Sequence, residues 1–192
     1  MPAQANSEPR ILRPPRWRPT VRALCLIAAG MLAFGAAELP ALASMSAHGT
    51  SVLGFELAGS TSRLRTILTR WGDPGRSAAE RHVLLDLGFI VGYGLLLAGI
   101  CTRLAGSLRA RGRDRLATVA ALLAWAALLA AIANLVQKLL LWLELHGHTA
   151  QPLPAIAMAC DIVTFGLALP AALFAATVAI MQGRASRHVS EP

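Results

Sequence analysis

Leu116 to Trp142 reads LATVAALLAWAALLAAIANLVQKLLLW, a run of apolar residues broken by one formal charge, Lys138. A helix needs roughly 20 predominantly apolar residues to cross a hydrocarbon core, and this stretch exceeds that length. Its alanine-rich half, Ala117 to Ala133, suits close packing, because small residues let helix backbones approach. Working outward, Val21 to Ala43, His82 to Leu104 and Ala155 to Met181 pass the same length test. Composition agrees: of 192 residues 55% are hydrophobic and only 15% charged, against about 25% charged in a soluble domain. The same figures disfavour disorder, a repeat array and, with three cysteines, a disulfide-stapled secreted domain. The expected fold is therefore all-α: an antiparallel four-transmembrane-helix bundle.

Arginines set the expected orientation. Arg10, Arg13, Arg16, Arg18 and Arg22 precede the first span, Arg103, Arg109, Arg111, Arg113 and Arg115 lie between the second and third, and Arg184 and Arg187 follow the fourth. Basic residues beside short loops stay cytoplasmic, and an even number of spans puts these three segments on one side. Residues 1–20 read as a cytoplasmic basic leader, 21–181 as the membrane domain with an outer segment at 44–81, and 182–192 as a cytoplasmic tail. Both termini are expected inside, in a multi-pass protein of the plasma (inner) membrane. The net charge of +8 is then anchorage, and the run Arg109 to Arg115 has no interleaved aromatic residue, so no nucleic-acid partner is expected. The expected partners are the lipid bilayer and a membrane protein or a second copy. The first span, ending Ala41-Leu42-Ala43, also has the outline of a signal peptide with a small-residue cleavage site. Cleavage there leaves three spans; the extended leader favours retention.

In the outer segment Leu64, Ile67, Leu68 and Trp71 recur at helical spacing while Arg63, Arg65 and Arg70 take other faces, predicting a short amphipathic helix on the outer side, lying on the interface or capping the bundle. Gly72-Asp73-Pro74-Gly75 should break it. Ser77-Ala78-Ala79-Glu80 has the form of a capping box opening the next helix. The strings Phe55-Glu56-Leu57-Ala58-Gly59-Ser60, Ile67-Leu68, Trp71-Gly72 and Leu85-Asp86 followed by Phe89 and Tyr93 resemble a group of small four-span membrane proteins of actinobacteria with no assigned activity. Such proteins often carry Asp-x-x-Glu-Asn in the third span, where this chain has Asn134-Leu135-Val136-Gln137-Lys138. The resemblance implies four retained helices. Loss of both acids argues against an acid-dependent role for that stretch.

Ionisable groups inside a span cost roughly 2.5–3.5 kcal/mol each near its centre and so need partners or water. Glu38, Asp86, Lys138 and Asp161 fall at similar depth toward the expected outer ends of four different spans. Asn134, Gln137 and Lys138 share one helix face, and Asp86 shares a face with Tyr93. The resulting candidate site is an outward-opening polar chamber of Glu38, Asp86, Tyr93, Asn134, Gln137, Lys138 and Asp161 that favours a cation or a positively charged ligand. The plainer alternative is interhelical glue between Lys138 and one acid.

His48, His82, His146 and His148 lie on or near the expected outer face, and His146-Gly147-His148 is a weak metal-ligand pair without further ligand spacing. No metal and no cofactor are expected. Cys25, Cys101 and Cys160 stand singly and pack as small apolar groups, with acylation of Cys101 near the inner interface as the exception to examine. Gly88-Phe89-Ile90-Val91-Gly92 is a GxxxG that should seat another helix, within the chain rather than from a second one. No catalytic signature is found, and Ser51, Ser60 and Thr61 near Glu56 form no recognisable nucleophile system. The leading expectation is a non-enzymatic membrane protein binding a small ligand or a membrane partner through the polar cluster. The alternative is a small proton- or cation-coupled transporter; a third is an outer-face metal or haem protein.

Overall fold

The computed structural model describes residues 15 and 19–187, without the side chains of residues 179 and 182–187. Arg10, Arg13, Arg16 and Arg18 of the leader, and the side chains of Arg184 and Arg187, lie outside what is described. Five helices follow in order: α1 (Val21–Ala47), α2 (Val52–Glu56), α3 (Thr61–Ala110), α4 (Asp114–Leu145) and α5 (Leu153–Arg187). No strand occurs among the described residues. Four helices, α1, α3, α4 and α5, are long and apolar enough to cross a membrane.

Local chemistry sets the helix starts. The hydroxyls of Thr20, Ser51 and Ser60 accept from the backbone N–H three residues on, at 3.2, 3.2 and 3.4 Å, occupying donors that the first turn cannot pair. The expected break after Trp71 is a kink rather than a turn. Gly72 takes φ 55° and ψ −161°, a region essentially reserved for glycine. Pro74, whose ring presets a helical φ, restarts the helix at once. Ser77 consequently sits inside α3, with its carbonyl accepting from Arg81 Nε at 3.4 Å. It does not cap a new helix, contrary to the Ser-x-x-Glu pattern, because Gly72 and Pro74 begin the helix earlier.

Leu64, Ile67, Leu68 and Trp71 turn inward as one stripe, while Arg63, Arg65 and Arg70 remain exposed. The stripe meets Met45, Phe55, Ala78, Ala79, Val83, Leu141, Leu145 and Ala157 in one apolar cluster. Phe55 and Trp71 pack at 5.0 Å between ring centroids, and Trp71 Nε1 donates to the Thr50 carbonyl at 3.3 Å. Thr61 Oγ1 donates to the Thr149 carbonyl at 2.7 Å, tying the start of α3 to the α4–α5 connection.

The long helices pack antiparallel and closely. A Cβ on Gly94 of α3 would lie 2.5 Å from Ala131 Cβ of α4, and one on Gly88 the same distance from Phe34 of α1. These contacts require the missing side chains: the GxxxG face seats α1 within the chain, and the alanine-rich face of α4 comes against α3. On the α4–α5 side Thr164 Oγ1 donates to the Ala130 carbonyl at 3.3 Å. Toward the far end a second apolar cluster gathers Ala98, Cys101, Ala105, Leu108 and the alanines of α4 from Ala117 to Ala127 with Ala171 and Ala175. Cys101 is fully buried there. Acylation of Cys101 is therefore corrected: its thiol faces packed protein, not the interface.

Candidate functional site

Between the two apolar clusters lies a layer of charge. Glu38 stands about 14 Å before the end of α1, Lys138 about 10 Å before the end of α4, and Asp161 about 12 Å past the start of α5, at 1.5 Å rise per residue. Antiparallel packing brings these depths together with His82 and Asp86, one helical turn apart on a single face of α3. The short α2 adds Glu56 from above.

Lys138 is the hub. Its ammonium, on a side chain 2% exposed, donates to Asp86 Oδ2 at 2.6 Å and to Glu56 Oε1, and stands 3.4 Å from His82 Nε2. Through its other nitrogen His82 reaches α1: Nδ1 is 3.4 Å from Glu38 Oε2. That contact is at ion-pair distance without hydrogen-bond alignment, leaving His82 Nδ1 and Glu38 Oε1 unpartnered. His82 Nε2 is also 3.5 Å from Glu56 Oε1. Glu38, His82, Glu56, Lys138 and Asp86 thus form a chain of charged and polar contacts drawn from α1, α2, α3 and α4. Burial pushes the Glu56 carboxyl up, and the hydrogen bonds and charges of His82 and Lys138 outweigh it, holding the group below its ordinary value.

The other expected members sit around this chain. Asp161 is buried, feels the charges of Glu56, Lys138 and Asp86, and keeps its Oδ2 without a partner. Gln137 is completely buried, its amide interacting with the Asp161 carboxyl and its Oε1 without a partner. Tyr93 and Asn134 make a separate half-buried pair, with Asn134 Nδ2 donating to the Tyr93 hydroxyl at 3.3 Å. The chamber expected to open outward is instead closed: Glu38, Asp86, Lys138 and Asp161 are all 8% exposed or less. The physical reason is the cover formed by α2 and the first turns of α3, whose apolar stripe fills the mouth.

Sequence reasoning placed Glu56 in the outer segment and His82 at a span boundary, so it missed two members of the chain. Two signals pointed to them: His82 and Asp86 stand at i, i+4 on one helix face, and Glu56 lies inside the Phe55 to Ser60 string. Glu144, buried with Oε1 unpartnered, was also missed. The histidine pair lies elsewhere. His146 and His148 are exposed, and the His146 ring stacks on Trp142 at 4.1 Å with Nδ1 2.9 Å from the Trp142 carbonyl. Among the described residues, the His, Cys, Asp or Glu side chains near enough to share one ion are Glu56, His82 and Asp86, their ligand atoms all within 4.8 Å of one another.

Four membrane-length apolar helices around a sealed charged layer make this a multi-pass membrane protein by length and composition. No family model, curated protein or solved structure matches the chain, and its functional reading rests on the geometry above.

Proposed function

We propose that the chain is a non-enzymatic integral protein of the plasma membrane, with both termini cytoplasmic, that binds a small cation in the buried charged layer and couples to its passage across the membrane. The observation carrying this reading is the excess of acid in a closed interior. Glu56 and Asp86 share the single ammonium of Lys138, Glu38 lies at ion-pair distance from His82, and Asp161 is buried within reach of the same charges. Charges at membrane depth are expensive and face a partner, a cavity or an ion path. Acids in surplus over the built-in cation leave negative potential that a further cation relieves. A larger organic ligand is disfavoured by the same closure, since the acids present almost no surface.

Retention of the first span supports the reading and is part of it. Glu38 of α1 approaches His82, and Phe34 of α1 seats on Gly88. The charge count of the loops supports a cytoplasmic placement of both ends.

The test is flux through liposomes reconstituted with the purified full chain, monitored with a membrane-potential dye and with ion-selective indicators. Cation-dependent flux is expected, falling at least tenfold in Asp86→Asn and in Glu56→Gln. Protein-free rates in the wild type, or unchanged rates in both variants, overturn the proposal.

A further inference from the structure

We propose that Glu56, His82 and Asp86 are the ligands of a divalent transition-metal site, and that the Lys138 ammonium holds the metal's place in the state described by the structure. The inference deepens the cation reading above and rests on it for its physiological meaning, but not for its chemistry.

Geometry comes first. The three ligand atoms lie within 4.8 Å of one another. Zinc holds nitrogen and oxygen ligands at about 2.0–2.2 Å in a tetrahedron, which places them roughly 3.3–3.6 Å from one another, so side-chain movements of about 1 Å close the group on an ion. Lys138 Nζ already touches all three: it pairs with Glu56, lies 2.6 Å from Asp86 and 3.4 Å from His82 Nε2. A positive centre is thus already seated among the donors that a metal would use.

The donor set narrows the class of ion. One imidazole with two carboxylates suits zinc and its first-row neighbours such as manganese and iron(II). Magnesium and calcium favour oxygen alone. Two carboxylates balance a divalent ion, whereas one ammonium leaves a charge of −1 on the same three ligands.

A second observation is independent of the ligand cluster. Metal-bound imidazoles regularly direct the other ring nitrogen at a carboxylate, which fixes tautomer and orientation. Glu38, 94% buried and with Oε1 unpartnered, places Oε2 3.4 Å from His82 Nδ1. A buried acid on another helix therefore stands in the orienting position, with capacity unused. The Lys138 stem borders an apolar cleft of about 230 Å³ between α3 and α4 that is lined by Val83, Leu84, Leu87, Leu135, Leu139 and Trp142.

The experiment uses the full chain in detergent micelles, stripped with chelator and titrated with ZnCl₂ by calorimetry, and with CoCl₂ by visible absorption. Wild type should take up one ion per chain. Lys138→Met should bind zinc at least 100-fold more tightly. Asp86→Asn in that background should abolish binding, and Glu38→Gln should weaken it about 10–100-fold. Should Lys138→Met fail to fold, the wild type decides: zinc should raise its unfolding temperature and cobalt should give a ligand-field spectrum, and both should vanish in His82→Gln. No saturable one-to-one binding in either protein, no gain on removing Lys138 from a folded chain, or binding that survives His82→Gln and is lost when His146 and His148 become alanine overturns the proposal. Cation flux that persists in chelator, beside absent metal binding, leaves the broader cation reading standing. Metal binding without flux does the reverse.

Discussion

Replacing Lys138 with methionine removes the positive centre of the buried layer while keeping nearly the same length of side chain, so little cavity is made. Glu56 and Asp86, both no more than 9% exposed, are left as facing carboxylates without their shared donor. Removing one partner of a buried ion pair costs about 3–5 kcal/mol, because the survivor stays desolvated and uncompensated. Here one ammonium serves two acids, at 2.6 Å to Asp86 and in direct contact with Glu56, so the upper half of that range is expected. Against a total of about 5–15 kcal/mol for a folded domain, the loss is a large fraction. The assay is reversible unfolding of the purified chain in mixed detergent micelles, with chelator present so that no metal substitutes for the ammonium. The control is the triple variant Lys138→Met, Glu56→Gln, Asp86→Asn, which removes charge from both sides. It should recover at least about half of the loss, because isosteric neutral replacements of a buried ion pair are often tolerated. A cost below about 1 kcal/mol for Lys138→Met, or a triple variant no more stable than the single one, refutes the view of Lys138 as the charge-compensating hub.

Three further outcomes are expected. Gly94→Ala places a methyl 2.5 Å from Ala131 Cβ and should cost about 1–3 kcal/mol by overpacking; adding Ala131→Gly should restore most of it in the same unfolding assay. Gly72→Ala must hold a β-carbon at φ 55° and ψ −161° and should lose about 1–3 kcal/mol, with faster proteolysis in the Val52 to Trp71 cover; unchanged stability and cleavage would mean that the kink is not needed. Changing both His146 and His148 to alanine, on an exposed turn, should alter stability by no more than about 0.5 kcal/mol and leave zinc binding intact, as calorimetry will show.

Much of the fold was legible because lipid-length apolar runs announce themselves one segment at a time. LATVAALLAWAALLAAIANLVQKLLLW needs no knowledge of its neighbours to be read as a membrane-length helix, and the stripe of Leu64, Ile67, Leu68 and Trp71 needs only a helical period. The restart of α3 after its kink was misplaced because two local signals compete there: Ser77-Ala78-Ala79-Glu80 offers a cap, but Gly72 and Pro74 act first and leave no free helix end for it. Within the site, Glu38, Asp86, Lys138 and Asp161 could be found because a charge inside an apolar run is conspicuous. Glu56 and His82 could not be found that way, since each lies at the margin of a span, where charge is ordinary. Their recruitment depends on α2 folding back over the helix ends, a tertiary event that periodicity does not encode. The expectation of an open chamber failed for the same cause: a cap on the bundle was one of two readings of the Leu64 to Trp71 helix, but that the cover would carry Glu56 into the layer and close it was not foreseen.

The energetics bear on why such a layer exists. An apolar core of similar volume would be neutral or more stable than a buried ion cluster, and the chain evidently can build one, since alanines fill the interior of α4 from Ala117 to Ala131. Stability alone therefore gives no reason for five interacting ionisable groups at one depth. Pairing specificity between helices gives only part of one: Lys138 with Asp86 sets α4 against α3, and Glu38 with His82 sets α1 against α3. What pairing leaves unexplained is the surplus: Glu38 Oε1, Asp161 Oδ2 and Gln137 Oε1 stand buried without partners around the hub. Each unpaired buried polar atom carries a cost of about 1–3 kcal/mol. A second positive centre entering the layer would meet these acceptors directly, and the state described here is then the one in which Lys138 supplies the only such centre among the described groups of the layer.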